Sequence, residues 1–494
     1  EATAKLTRTP GLAVLTAGPG VTNGVSAVAS AWFNGSPLLV LGGRAPAFRW
    51  GTGSLQELDH PPLLAPVTKH AGTVDQVDKL ATAVDDALRL ASAPHRGPVF
   101  LDVPMDQLFS RAEVELSPTP HRERTEPDPD AVAGVAELLA LAERPVLVLG
   151  SDVWSDGAED AARRLAEAAG VPTVTNGMGR GILPAGHPLL VTRARSTAFG
   201  QADLVIVAGS PLDFRLGYGV FGGGQGAAGE PLPGARVVHL ADSPGQLARH
   251  VDLAGAVGGD LTLVLDGLLA AWEGQPRHRT REDWTVQLQE AARAAAERDQ
   301  ALLRSDADPI HPARIYGELR GRLAEDAVVI GDGGDFVSFA GKYVEPSRPG
   351  SWLDPGPYGC LGTGLGYAMA ARIARPADQV VLLLGDGAAG FSLMDVDTLV
   401  RHRLPVVMVV GNNGAWGLEK HPMRFLYGYD VAADLAPQTR YDEVTRALGG
   451  AGETVTRPQD IGPALDRGFA AGVPYLVNVV TDPEVAYPRS TTGV

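Results

Sequence analysis

Short, dense apolar runs recur along the chain, each closed by a glycine-containing turn and separated from the next by a stretch long enough for a helix. In the first quarter GLAVLT (Gly11 to Thr16) reads as a buried strand. AGPGVTNG (Ala17 to Gly24) then turns into a small-residue helix ending near Phe33, and SPLLVLGG (Ser36 to Gly43) reads as the next strand, which completes a βαβ unit. GPVFLDVPMD (Gly97 to Asp106) adds another strand. The pattern returns in RPVLVLG (Arg144 to Gly150), VPTVTNG (Val171 to Gly177), DLVIVAG (Asp203 to Gly209) and ARVVHLA (Ala235 to Ala241). It returns once more in AVVIGDGG (Ala327 to Gly334), QVVLLLGDG (Gln379 to Gly387), LPVVMVVGNNG (Leu404 to Gly414) and PYLVNVVTD (Pro474 to Asp482). Continuous rather than alternating apolar runs, spaced by helix-length intervals, predict parallel sheets covered on both faces.

Two stretches interrupt this rhythm. SPTPHRERTEPDPD (Ser117 to Asp130) is charged and proline-rich, and a second linker is predicted at Glu273 to Arg281, ahead of a long helix around Trp284 to Leu302. The expected architecture is α/β, with three consecutive doubly wound parallel-sheet domains at 1–118, 128–275 and 305–494.

Composition agrees and narrows the function. With 494 residues, 45% of them hydrophobic, the chain is long enough for about three cores. A formal charge of -16 disfavours nucleic acid and anionic membrane surfaces as partners. The single cysteine, Cys360, excludes an intrachain disulfide framework, and no apolar run reaches the ~18 residues of a membrane span. A cytoplasmic enzyme acting on small molecules is the expectation.

In a parallel sheet, ligands bind beyond the carboxyl ends of the strands. Two such ends are GDG (Gly385 to Gly387) and GNNG (Gly411 to Gly414), joined by one crossover whose helix is expected at roughly Leu393 to His402. Asp386 and Asn413 are 27 positions apart (413 minus 386), so a single crossover can bring them to one crevice. A carboxylate, an amide oxygen and a backbone carbonyl form an all-oxygen set suited to magnesium, which keeps open positions for phosphates. Glycines on either side of Asp386 allow a close backbone approach, and the helix start that follows favours negative charge. A P-loop reading of GGDFVSFAGKY fails, because six residues separate Gly334 from Gly341 and Tyr343 follows Lys342.

This arrangement resembles the thiamine-diphosphate motif, GDG followed after about 24 to 27 residues by NN; 24 residues, Ala388 to Gly411, intervene here. GPGVTNG (Gly18 to Gly24), GTGSLQELD (Gly51 to Asp59), TKH (Thr68 to His70), LDFR (Leu212 to Arg215) and GCLGTGLGYAMA (Gly359 to Ala370) extend the likeness to the catalytic subunits of the acetolactate synthase family. The resemblance implies pyrimidine-binding, central and diphosphate-binding domains in that order, with thiamine diphosphate and Mg2+ as cofactors. It assigns magnesium to Asp386, Asn413 and the main-chain carbonyl of Ala415. Cofactor contacts fall to Pro19, Asn23, Gly333, Gly334, Asp335, Gly359, Leu361, Gly385, Asp386, Gly387, Ala388 and Asn413. Leu361 stands at the apolar wedge that bends the cofactor, and a plain core leucine is the competing reading. Gln56, Lys69 and Arg215 are the candidate catalytic residues. A surface lysine and a simple pair with Asp213 compete with the last two.

The resemblance further implies a homodimer or tetramer and the condensation of two pyruvates to 2-acetolactate with loss of carbon dioxide. The family's relay glutamate lies about 25 positions before the GPG turn, near position -7, so the chain is expected to be a fragment. A protein starting at Glu1 should turn over poorly. GDGAAGFS (Gly385 to Ser392) is equally similar to the 2-hydroxyacyl-CoA lyases and oxalyl-CoA decarboxylases, and NNGAWGLEKHPM (Asn412 to Met423) departs from the synthases. A non-catalytic paralogue is the third reading. A flavin, carried by many synthases, has no signature in this chain.

Overall fold

The computed structural model describes residues 1–116, 124–225, 231–276 and 281–487; parts of both predicted linkers, 117–123 and 277–280, lie outside the described residues. The chain divides into two compact units, residues 1–125 with 356–360, and residues 126–355 with 361–494.

The first unit holds a four-stranded parallel sheet of β1 (Gly11–Leu15), β2 (Leu38–Arg44), β3 (His70–Thr73) and β4 (Pro98–Pro104), in the order β1-β2-β4-β3. Helix α1 (Pro19–Phe33) crosses from β1 to β2, with proline in its first turn, where its missing N–H costs nothing. Alternate residues of the strands feed two separate cores. Val40 and Phe100 pack with Val21, Val28 and Ala31 of α1, whereas Leu39, Val99 and Leu101 pack with Ala87 and Ala91. Central β4 is buried at every position, which explains its unbroken apolar run.

The second unit contains two parallel sheets. The middle one consists of β5 (Pro145–Leu149), β6 (Thr173–Thr175), β7 (Leu204–Ala208), β8 (Arg236–Ala241) and β9 (Gly255–Gly258), in the order β6-β5-β7-β8-β9. Helix α2 (Glu282–Leu303) leads to the last sheet, made of β10 (Val328–Asp332), β11 (Trp352–Leu353), β12 (Val380–Gly385), β13 (Val407–Asn412), β14 (Ala451–Val455) and β15 (Tyr475–Val480), in the order β11-β10-β12-β13-β15-β14. All three sheets are parallel and of the α/β class, as the sequence led us to expect. No helix among the described residues is long and apolar enough to cross a membrane.

Four strands, β3, β9, β11 and β14, escape the apolar pattern, and each lies at the edge of its sheet. β3, β9 and β14 are largely exposed or half-buried, so burial does not demand an apolar run there.

Helix α3 (Gly334–Tyr343) follows β10 directly. Its last carbonyls are held by arginines of the middle-sheet segment. Arg180 donates to Gly341 O at 3.0 Å and to Val344 O, with its guanidinium 4.3 Å from the Trp352 ring centre. Arg193 donates to Lys342 O at 2.9 Å and pairs with Asp299, which also receives Lys342 Nζ at 2.9 Å.

Candidate cofactor site

Strand order changes direction at β10, whose chain neighbour β11 lies on one side and β12 and β13 on the other. Such a switch point opens a crevice at the carboxyl ends of the strands. Register makes those ends level: Asp332 stands beside Leu384, and Gly385 beside Gly411. The residues immediately after β10, β12 and β13 therefore line one crevice, among them Gly333, Gly334, Asp335, Gly385, Asp386, Gly387, Ala388, Asn413, Ala415, Trp416 and Glu419.

Helix α4 (Gly364–Ala374) precedes β12, and α5 (Asp386–Ser392) follows it without a gap. The crossover helix thus begins at Asp386 rather than at the expected Leu393, and a 3-10 turn at Leu393–Asp395 separates α5 from the next helix, Val396–Arg401. Small residues, Gly387 to Gly390, made the first turn look like a loop.

Asp386 is buried. One carboxylate oxygen accepts the Gly387 N–H at 2.9 Å, and the other accepts the Gly414 N–H at 2.6 Å. Asn413 Oδ1 accepts the Ala415 N–H at 3.1 Å. Burial pushes the Asp386 carboxyl up to about 6, against the pull of the Gly414 and Gly387 N–H groups. No basic side chain pairs with it among the described residues. A buried carboxylate without a counterion, beside an amide and a carbonyl oxygen, fits a hard cation.

The surroundings fit an anion. Gly333 (φ 90°) and Gly334 (φ 59°) adopt left-handed backbone, and a Cβ on Gly333 would fall 2.5 Å from Ala388 Cβ. The N-termini of α3 and α6 (Gly417–Tyr427) open onto the same crevice, where their free N–H groups favour negative charge. Leu361 Cδ2 lies 3.4 Å from the same Gly333 Cβ position, so the wedge candidate and the phosphate-turn candidate are neighbours. Asp335 sits buried in the first turn of α3, and Oδ2 accepts the Tyr487 N–H at 3.4 Å.

Two residues to which sequence reasoning gave no role stand at the crevice, Trp416 in its lining and Asp332 directly behind the Gly333 turn. Asp332, fully buried, accepts the Gly362 N–H at 3.1 Å and the Gly364 N–H at 2.8 Å. It belongs to a second GDG at a strand end, and that was its only signal. Trp416 lays its ring on Gly387 and meets Phe391 edge-on at 6.2 Å between centroids.

In the first unit, Gly18 (φ 59°) begins the turn into α1, with Pro19 as the first helical residue and Asn23 exposed one turn on. Gln56, itself at φ 60°, packs against Gly18: a Cβ there would lie 2.9 Å from Gln56 Cβ. The Gly18 N–H donates to His60 Nε2 at 3.0 Å, which fixes the proton on Nδ1, from where it is donated to Asp102 at 2.9 Å. Arg44 reaches the same Asp102 oxygen at 2.9 Å and Asp59 at 3.0 Å. This buried His60–Asp102 support was also missed, because no local motif links residues 42 positions apart.

Lys69 and Arg215 stand apart from these groups. Lys69 precedes β3 at the amino end of the sheet, opposite the Gly18 turn, and its Nζ donates to Ala93 O at 2.7 Å. Arg215 pairs with Asp213, 2.8 Å from Nη2 to Oδ2, in the 3-10 segment Phe214–Gly219 after β7, and is not among the crevice residues. Its neighbour Arg195 donates to the Arg215 carbonyl, and burial, then Arg215, lowers Arg195 to about 10. Gly359 falls in the 356–360 segment of the first unit, at φ 69°.

Three family models match the chain: the N-terminal TPP binding domain of thiamine pyrophosphate enzymes over residues 1–63, the central domain over 132–268, and the C-terminal TPP binding domain over 332–479. The chain is 50% identical over 499 residues to the acetolactate synthase large subunit IlvG of Mycobacterium tuberculosis, covering 99% of this chain and 87% of that protein. A probable acetolactate synthase of Mycobacterium bovis matches to the same extent. The 2-hydroxyacyl-CoA lyase 2 of Mus musculus is 33% identical over 500 residues, covering 92% and 77% of the two chains.

Proposed function

This chain belongs to the thiamine pyrophosphate enzyme family, and from that premise we propose that it joins two molecules of pyruvate into 2-acetolactate with loss of carbon dioxide. The observation that carries the reading is the buried carboxylate of Asp386, with no basic partner among the described residues, beside Asn413 at the switch point of the last sheet. The choice of pyruvate rests on the identity to acetolactate synthase large subunits.

In this reading Asp386, Asn413 and the Ala415 carbonyl hold Mg2+. The turn of Gly333, Gly334 and Asp335, with Gly385, Gly387 and Ala388, receives the diphosphate, and Leu361 supports the bend of the cofactor. Pro19, Asn23 and Gln56 form the pyrimidine side, and Gly359 is a further cofactor contact. When bound, thiamine diphosphate supplies the carbanion that attacks a keto carbon and the electron sink that lets carbon dioxide leave. The protein's share is orientation: the N–H groups of Gly387 and Gly414 aim the two Asp386 oxygens, and His60 holds the Gly18 backbone in place. Lys69 and Arg215, engaged with Ala93 and Asp213, are given no step.

We take the working unit to be a homo-oligomer, at least a dimer, in the cytoplasm, because the family resemblance sets the pyrimidine side of one subunit against the diphosphate side of another. Sedimentation of a fully active monomer would refute this. A second reading, 2-hydroxyacyl-CoA cleavage, is favoured by Trp416 in a segment that departs from the synthase pattern and by the lyase relatives.

The test supplies the full-length gene product with thiamine diphosphate, Mg2+ and pyruvate and follows acetolactate by mass spectrometry. Acetolactate should form with the wild type and vanish with Asp386→Ala. That variant should also lose the cofactor-induced rise in melting temperature, which corresponds to about 2.7 kcal/mol at a ligand concentration of 100 Kd. Tight cofactor binding without acetolactate refutes the synthase reading, and cleavage of a 2-hydroxyacyl-CoA would replace it with the second.

A further inference from the structure

We propose that Asp332 is a positioning residue that locks the Leu361 segment to the phosphate turn, so that one buried carboxylate keeps two cofactor-facing loops in register. β10 ends at Asp332, and the next residue is Gly333, whose left-handed backbone shapes the turn. The Asp332 side chain reaches the other way, to the segment after Leu361. Each oxygen takes one backbone N–H, Gly362 at 3.1 Å and Gly364 at 2.8 Å. Leu361 is thus fixed from its own C-terminal side by the residue that begins the turn against which it packs.

The surroundings are built around this carboxylate. A Cβ on Gly364 would lie 2.7 Å from Leu382 Cδ1, 2.8 Å from Asp332 Cβ and 2.9 Å from its Oδ2, so only glycine lets the backbone close onto the acid. Gly362 has φ 84°, and its Cβ would fall 2.9 Å from Phe391 Cβ. Among the described residues no cation pairs with Asp332; what faces it is Leu382 from β12 and the N–H groups at the start of α4. Burial raises its carboxyl to about 6, while the Gly364 and Gly362 N–H groups pull down. An ionised carboxylate accepts from both N–H groups at once. Asparagine offers one acceptor oxygen and would turn its own donor toward the second N–H. The neutral acid has the same shortage, so protonation should release one of the two tethers.

The inference rests on reading Leu361 as the wedge, and the experiment separates the two. Hydrogen exchange of the 359–366 peptide in the full-length wild type, corrected for intrinsic rate, should lose protection between pH 7.5 and 5.5, while the β12 peptide 380–385 does not. Asp332→Asn should bind thiamine diphosphate with Mg2+ within about threefold of the wild type. Its kcat should fall by about tenfold or more with little change in KM, a loss typical of misplacement rather than lost binding. Its kcat should also lack an acid limb near pH 6 that is expected of the wild type. Wild-type exchange independent of pH over 359–366, or an Asp332→Asn enzyme with the wild-type kcat and pH profile, overturns the proposal. If the variant does not fold, the wild-type exchange decides alone. Leu361→Ala with undiminished kcat would sink the wedge reading while leaving the Asp332 tether to be judged by exchange.

Discussion

Gly387→Ala probes why the second glycine of the GDG turn is a glycine at all. Family resemblance attributes it to close approach of the diphosphate, but the structure supplies a constraint that exists without any ligand. An added Cβ would lie 2.5, 2.6 and 2.7 Å from three atoms of the Trp416 ring. That ring cannot easily retreat. Its backbone N–H is held by Ala433 O at 2.8 Å, its carbonyl accepts the Lys420 N–H at 2.8 Å, and Phe391 stands edge-on against it. Overpacking of this kind costs ~1–3 kcal/mol. Against it, Gly387 is helical, and alanine in a helix gains ~0.5–1 kcal/mol over glycine. The net expectation is a loss of up to ~2 kcal/mol in the wild-type background, turning into a gain of ~0.5–1 kcal/mol when Trp416→Ala has removed the ring, since the helical gain then acts alone. Urea midpoints of the four cofactor-free proteins give the coupling, which should be ~1–3 kcal/mol. An alanine equally costly with and without Trp416 would refute the steric reasoning and return the glycine to the ligand alone.

Two other measurements bear on buried carboxylates. Asp102→Ala removes the acceptor shared by His60 and Arg44 and should destabilise the first unit by about 3 kcal/mol or more, whereas Asp59→Ala, removing an exposed partner of Arg44, should cost under ~1 kcal/mol; thermal melts compare them, and equal effects would contradict the burial argument. Asp332 titrates near 6 in the folded protein against about 4 unfolded, so its proton favours the folded state at low pH and that contribution is lost as pH rises through 6. The cofactor-free wild type should therefore gain stability relative to Asp332→Asn as pH falls from 7.5 to 5, and a constant difference would show that the carboxyl is not shifted.

Central strands were legible because burial on both faces forces a continuous apolar run, as in β4, β12 and β13. Edge strands β3, β9 and β14 were not, since half-exposed backbone such as His70–Thr73 does not demand an apolar run, and β11 is only two residues long. Asp386 and Asn413 could be placed together because one crossover links them and parallel register levels their strands. His60 with Asp102, and Asp332 with Gly364, could not: each pairing spans 42 or 32 positions and is fixed only by packing. A helix start was read after Asp386, but the body of the crossover helix was expected only from Leu393, because the intervening turn is rich in glycine and alanine.

Among the described residues the middle sheet places none in the crevice proposed for the cofactor, yet Arg180 and Arg193 hold the C-terminal carbonyls of α3, whose opposite end forms part of the proposed phosphate turn. The central domain is therefore no interchangeable cassette. A chimera that imports this domain from a relative without an arginine at each of those two places would inherit every predicted cofactor ligand and still set the helix, and with it the turn, at the wrong height.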